Sequence, residues 1–173
     1  MASLYCDFLY EEKHSATNIL GAILKQLFAR DVIPEPVRQA LHEKMVLGGG
    51  RPVQLSDLVE MLKATIALLP GVFICIDGLD ECLQKNRLQL LESLQEIIRA
   101  SPITRVFLTG EPHVRDDIER YFPEAITIPI TPTIRDIEMY LKMRLDQDPT
   151  PTAMDDILRA DIMRVIPQNI SQM

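Results

Sequence analysis

Basic residues are the minority among the charges of this chain, 18 Lys and Arg against 25 Asp and Glu, for a formal charge of −7 and a pI near 5.0. Nucleic acid or an anionic membrane as the main partner would need a clustered excess of cations. No such cluster occurs along the sequence, so both partner classes are excluded. Long apolar runs are missing as well. Nothing approaches the roughly 20 residues that span a bilayer, and the opening MASLYCDFLYEEKH has neither the basic start nor the apolar length of a signal peptide. A cytoplasmic location is the resulting expectation. Cysteine is scarce: Cys6, Cys75 and Cys82 are odd in number, widely spaced and without ligand-spaced His. That supports neither a disulfide framework nor a zinc site and leaves buried thiols as the reading. His14, His42 and His113 are too scattered for a metal site, and the eight methionines, Met139 and Met143 among them, read as core filler. Internal repeats and low-complexity tracts are absent.

What remains is an ordinary globular chain. With 173 residues and 47% hydrophobic content it can build one domain with a real core, or a large part of one. The segment 3–8, SLYCDF, reads as a short strand ending in a polar loop. From Ser15, Ile19, Leu20, Ile23, Leu24, Leu27 and Phe28 recur with helical spacing, and Pro34 closes the helix. A shorter helix is expected over 35–45 and a loop over VLGGGRPVQ. Leu55 to Leu69 is a further helix, with Ser56 as N-cap and an inner stripe of Leu58, Val59, Leu62, Ile66 and Leu69. Pro70 and Gly71 break it.

Residues 72–82, VFICIDGLDEC, then run five apolar residues into Asp77, Gly78 and the acidic pair Asp80 and Glu81. The run predicts a strand covered on both faces and closed by a glycine turn. Leu88, Leu91, Leu94, Ile97 and Ile98 mark a helix ending before Pro102; RVFLT at 105–109 is a strand, 114–122 a short helix, and AITIPI at 125–130 a fourth strand with Pro129 near an edge or end. Two capping boxes, Thr133 with Asp136 and Thr152 with Asp155, announce two last helices separated by the linker DQDPTPT. Acidic runs such as RDDIE read as solvated helix faces. Strands alternating with helices imply right-handed crossovers and a mostly parallel α/β sheet, with working groups outside the carboxyl ends of its strands. Asp77 falls at such an end. There it is placed to hold a magnesium ion through one carboxylate and several waters, with a neighbouring acid orienting an attacking water; the same pattern also suits a carboxylate that only caps the next turn.

The longer string hhhhDGLDE, followed by Cys82, resembles the Walker B segment of NACHT-class signal-transduction ATPases, the STAND group of P-loop NTPases, including the nephrocystin-3-like N-terminal domains of fungal incompatibility (NLR-like) proteins. YCDF with SATNILGAILKQL resembles that family's second strand and helix, RVFLTGEPH its sensor 1 strand and turn, and ITPTIRDIEMYLKMRL the entry to its helical extension. VIPQNISQM looks like the start of a further helix. The resemblance implies a three-layer αβα sheet, incomplete here, over residues 1–131, and the start of a helical extension over 132–173. It implies Mg2+ and ATP or GTP as cofactors, Asp77 as the magnesium ligand, Asp80 and Glu81 for water activation or its coordination, and Thr109 beside the gamma phosphate. It also implies other chains or modules of a longer signalling protein as partners, with homo-oligomers among them.

Two departures bear on activity. The phosphate loop GxxxxGK(S/T) is absent, its place expected upstream of Met1, and the GGG at 48–50 precedes Arg51 and Pro52 between helices, as a flexible loop. In relatives the strand before that loop lies between those matching 105–109 and 125–130, so its loss implies exposed edges. The sensor turn, TGRPH in relatives, carries Glu111, an anion that would repel phosphate if it points inward. The expectation is a truncated or degenerate NTPase domain with weak or lost nucleotide binding, against a non-catalytic interaction or regulatory fragment. Chitinase-like barrels fail on acid spacing and on length, since about 250 residues are typical, and the DxD phosphatase pattern fails because Asp77 and Asp80 are three apart.

Overall fold

The computed structural model describes residues 1–7, 15–29, 39, 52–148 and 154–170. It divides into two compact units, Met1–Ala125 and the residues from Ile126 onward. In the first, three strands, β1 (Ala2–Tyr5), β2 (Val72–Asp77) and β3 (Thr104–Leu108), form an all-parallel sheet in the order β1-β2-β3. Helices α1 (Ala16–Phe28) and α2 (Leu55–Ile66) connect β1 to β2, α3 (Gln84–Ala100) connects β2 to β3, and α4 (Arg115–Tyr121) follows. This is the α/β architecture expected of an incomplete P-loop-like domain.

The helices form where apolar spacing and caps agree. Ser15 caps α1, its Oγ accepting the Asn18 N–H at 3.2 Å, and the α1 stripe from Ile19 to Leu27 is buried as expected. α2 starts two residues earlier than Ser56 as N-cap implies. Asp57 explains it: its carboxylate accepts the Gln54 N–H at 3.2 Å, which makes Gln54 the cap and puts Ser56 inside the first turn. Leu62, Ile66, Leu90, Leu91 and Ile97 meet Ile74 and Ile76 in one core, all fully buried, and each such side chain contributes about 2 kcal/mol of burial. β1 is an edge strand, and Gln26 covers part of that edge. Its amide accepts the Ser3 N–H at 2.9 Å and donates to the Ser3 carbonyl at 2.7 Å.

Among the described residues the sheet is covered on one face only, in contrast to the expectation for β2. Val72, Ile74 and Ile76 are buried, whereas on the other face Tyr5, Phe73 and Phe107 are 68%, 58% and 57% exposed. Topology supplies the reason. Strands added in one direction through crossovers of one hand place all their helices on the same side.

The expected fourth strand is not formed: residues 125–130 have no strand pairing, and Ile126, Ile128 and Ile130 are 91%, 71% and 87% exposed. Alternating isoleucines suit a strand, but a strand exists only with a hydrogen-bonding neighbour. RDDIE also departs from a purely solvated face, because Asp117 pairs with the buried Arg87 of α3.

In the second unit, α5 (Ile134–Asp146) packs on α6 (Asp156–Ile170). The Thr133–Asp136 capping box is formed: Asp136 Oδ2 accepts the Thr133 N–H at 2.9 Å, and Thr133 Oγ1 accepts the Asp136 N–H at 3.2 Å. At α6 Asp155 takes the cap position, its Oδ1 accepting the Leu158 N–H at 2.7 Å. Residues 165–170 of VIPQNISQM belong to the last helix itself. α6 runs on through Pro167, which removes one amide from the ladder and leaves the Met163 carbonyl without its usual donor. Of the helix expected over 35–45 only Gln39 is described, in helical conformation, and the close at Pro34, the GGG loop, His14, His42 and Thr152 lie outside the described residues. No helix of the described residues is long and apolar enough to cross a membrane.

Candidate functional site

Parallel pairing brings the carboxyl ends of all three strands to one edge. Tyr5 is in register with Asp77, and Ile76 with Leu108, so the residues just beyond each strand meet there. The Cys6 N–H donates to the Asp77 carbonyl at 2.8 Å, and the Thr109 N–H to the Ile76 carbonyl at 3.0 Å. Asp77 is thus the last rung of the central strand, with its carboxylate in solvent.

Gly78 then turns the chain with φ 74° and ψ 44°, in the left-handed region. A Cβ there would lie 2.9 Å from the Cys6 carbonyl oxygen, so both the φ and the space call for glycine. The 3-10 turn Leu79–Glu81 follows, anchored by the buried Leu79, whose N–H donates to the Thr109 carbonyl at 2.9 Å. Thr109 ties the two strand ends together. Its hydroxyl donates to Asp77 Oδ1 and accepts the Gly78 N–H at 3.0 Å.

Asp80 points across to the turn after β3. Its Oδ1 accepts the Glu111 N–H at 3.2 Å, and a Cβ on Gly110 would sit 3.2 Å from that oxygen and 2.9 Å from Val114 Cγ2. The Glu111 side chain is itself exposed, 3.4 Å from His113 Nδ1. Glu81 ends the 3-10 turn half-buried and outside these contacts. Asp77 and Thr109 are therefore brought into direct contact, Asp80 is held by the neighbouring turn, and the three acids do not converge. Among the described residues no group of three or more His, Cys, Asp or Glu could hold a metal ion. Magnesium does not require such a group, since one or two carboxylates and several waters suffice.

Two features behind the acids carry no sequence signal at their separations. Cys82 Sγ lies 3.4 Å from Cys6 Sγ, both buried and both free thiols. The hydrogen bond with Cys82, then burial, pushes the Cys6 thiol up, and the same bond, helped by the charge of Arg87, pulls Cys82 down against its own burial. Arg87 is the second feature. Its guanidinium donates to Asp117 Oδ2 from Nε at 2.8 Å and to the Cys82 carbonyl from Nη1 at 3.0 Å. It fixes α3, α4 and the end of the acidic turn in one contact.

Comparison with known proteins decides the family. Residues 1–110 match the family model Nephrocystin 3, N-terminal, well over half of the 173-residue chain. The chain belongs to the nephrocystin 3 N-terminal family. No curated protein and no solved structure matches it. The match takes in all three strands, the acidic turn and Thr109, and ends at Gly110, so for this family member the helices from Ile134 onward fall outside the matched segment.

Proposed function

We propose that residues 1–173 carry the acid half of a magnesium–nucleotide site of a NACHT-type signalling NTPase, with the Walker B and sensor 1 segments present and the phosphate cradle absent. One observation supports this reading above others: the solvent-facing Asp77 carboxylate at the end of the central parallel strand, held through Oδ1 by Thr109 from the adjacent strand. Asp77 would hold Mg2+, which would supply charge neutralisation at phosphate oxygens. Asp80 and Glu81 would coordinate or orient the attacking water, and Thr109, next to Asp77, would stand near the gamma phosphate of ATP or GTP. No GxxxxGK(S/T) occurs among the 173 residues, so the backbone cradle and lysine of a P-loop are not supplied by them. Nucleotide binding and turnover by these residues alone are therefore weak or lost. Calorimetric titration of the chain with MgATP and MgGTP tests this: no saturable heat up to millimolar nucleotide is expected, and robust magnesium-dependent binding overturns it.

A second reading draws on the uncovered sheet face with Tyr5, Phe73 and Phe107. Exposed aromatics at this density favour protein association, and the chain then works as a non-catalytic regulatory fragment, within the cytoplasm, bound to other modules of a longer signalling protein or to its own copies. Sedimentation velocity with Phe73→Ser separates the readings. Self-association lost in the variant favours the second.

A further inference from the structure

We propose that Cys6 and Cys82 are a thiol modification site, a dithiol that small hydroperoxides convert to a reversible disulfide stapling the end of β1 to the acidic turn after β2. The inference is independent of the nucleotide reading. The two sulfurs already touch at 3.4 Å although 76 residues separate them, and a disulfide of about 2.05 Å needs them to approach by little more than an ångström. Their backbones are fixed on either side of the site. The Cys6 N–H donates to the Asp77 carbonyl at 2.8 Å, the Cys82 N–H to the Leu79 carbonyl at 3.2 Å, and Arg87 holds the Cys82 carbonyl.

Burial selects the oxidant. Both side chains are almost fully shielded, so a reagent little larger than water is required. Cys82 is the attacking sulfur, because the Arg87 guanidinium bonded to its carbonyl at 3.0 Å sets a positive charge close by. The thiolate attacks a peroxide oxygen, the O–O bond breaks, and Cys82 becomes a sulfenic acid as hydroxide leaves and takes up a proton as water. The Cys6 sulfur then attacks the Cys82 sulfur and the sulfenic hydroxyl departs as a second water. Two thiols lose two electrons, and one hydrogen peroxide becomes two waters. Cys75 has no part in this. It lies on β2 between the buried Ile74 and Ile76, so its side chain faces the opposite side of the sheet.

The outcome is an inversion of the usual rule that the more exposed thiol reacts first. The full chain is treated with hydrogen peroxide, denatured, alkylated and mapped by mass without reduction. The expected product joins the Cys6 and Cys82 peptides, two hydrogens lighter than their sum, with Cys75 alkylated and dithiothreitol restoring all three thiols. Amide exchange over Leu79–Cys82 slows by about tenfold in the oxidised chain, the effect of closing a long loop. Cys82→Ser abolishes the product and leaves Cys6 alkylated; the map of the unsubstituted chain decides the matter even if that variant fails to fold. Recovery of Cys6 and Cys82 both alkylated, or cross-links through Cys75 or between chains, overturns the proposal.

Discussion

Thr109 and Asp77 meet across the ends of β3 and β2, one hydroxyl donating to the carboxylate while accepting the Gly78 N–H at 3.0 Å. Through that oxygen the acid, the glycine turn and the end of β3 are one unit. Thr109→Val should remove both bonds and lower stability by about 1–2 kcal/mol, seen as a lower urea midpoint, while Thr109→Ser keeps the hydroxyl and stays near the original value. A loss in Thr109→Ser with none in Thr109→Val would show that the methyl group matters and the hydroxyl does not.

Gly78 should not tolerate a side chain. Its positive φ and the 2.9 Å separation that an added Cβ would have from the Cys6 carbonyl oxygen act together, so Gly78→Ala is expected to cost about 2–3 kcal/mol. Thermal unfolding within about 0.5 kcal/mol of the original would contradict this account of the turn.

The Arg87–Asp117 pair, nearly buried on the arginine side, joins α3 to α4. Truncating the arginine strands a shielded carboxylate and an unmet Cys82 carbonyl, so Arg87→Ala should destabilise by about 3 kcal/mol. Adding Asp117→Ala to it should then cost little more. Additive losses in that double-mutant cycle would mean the two residues are uncoupled.

Much of this is legible in the residues, and the rest fails for physical reasons. β2 and α1 announce themselves through VFICI and the Ile19-to-Leu27 stripe, because local periodicity reflects which positions are buried. How many layers bury them is not local. VFICI reads alike whether Phe73 is covered or, as here, open to solvent. The isoleucines at 126, 128 and 130 alternate as a strand would, yet pairing depends on a neighbour that the segment itself cannot specify. The apolar run before Asp77 is enough to put that residue at a strand end, whereas the contacts that position its surroundings, Thr109 at 32 residues' separation and Asp80 to the Glu111 amide at 31, arise from strand order. Asp117 reads as solvated for the same reason, its partner being 30 residues away.

Asp136 gives a pH dependence of known sign. Its hydrogen bonds from Thr133 hold the carboxyl below its ordinary range, so the cap stabilises α5 fully above the unfolded value of about 3.9 and is lost as pH falls through the lower folded value. Carbon-detected NMR titration should find a midpoint below that of an unstructured Asp, rising toward it in Thr133→Ala, which loses the hydroxyl and keeps the backbone N–H. An unshifted midpoint in the original chain would contradict the capping box.

The most direct test of the central claim places a paramagnetic ion at the site. Mn2+ added in place of Mg2+ should broaden amide signals around Asp77, Asp80 and Thr109 first, and Asp77→Asn, which keeps the strand end intact, should abolish that pattern. Broadening centred elsewhere, or unchanged in Asp77→Asn, would mean that the carboxylate at the end of β2 is a turn cap and not a metal ligand.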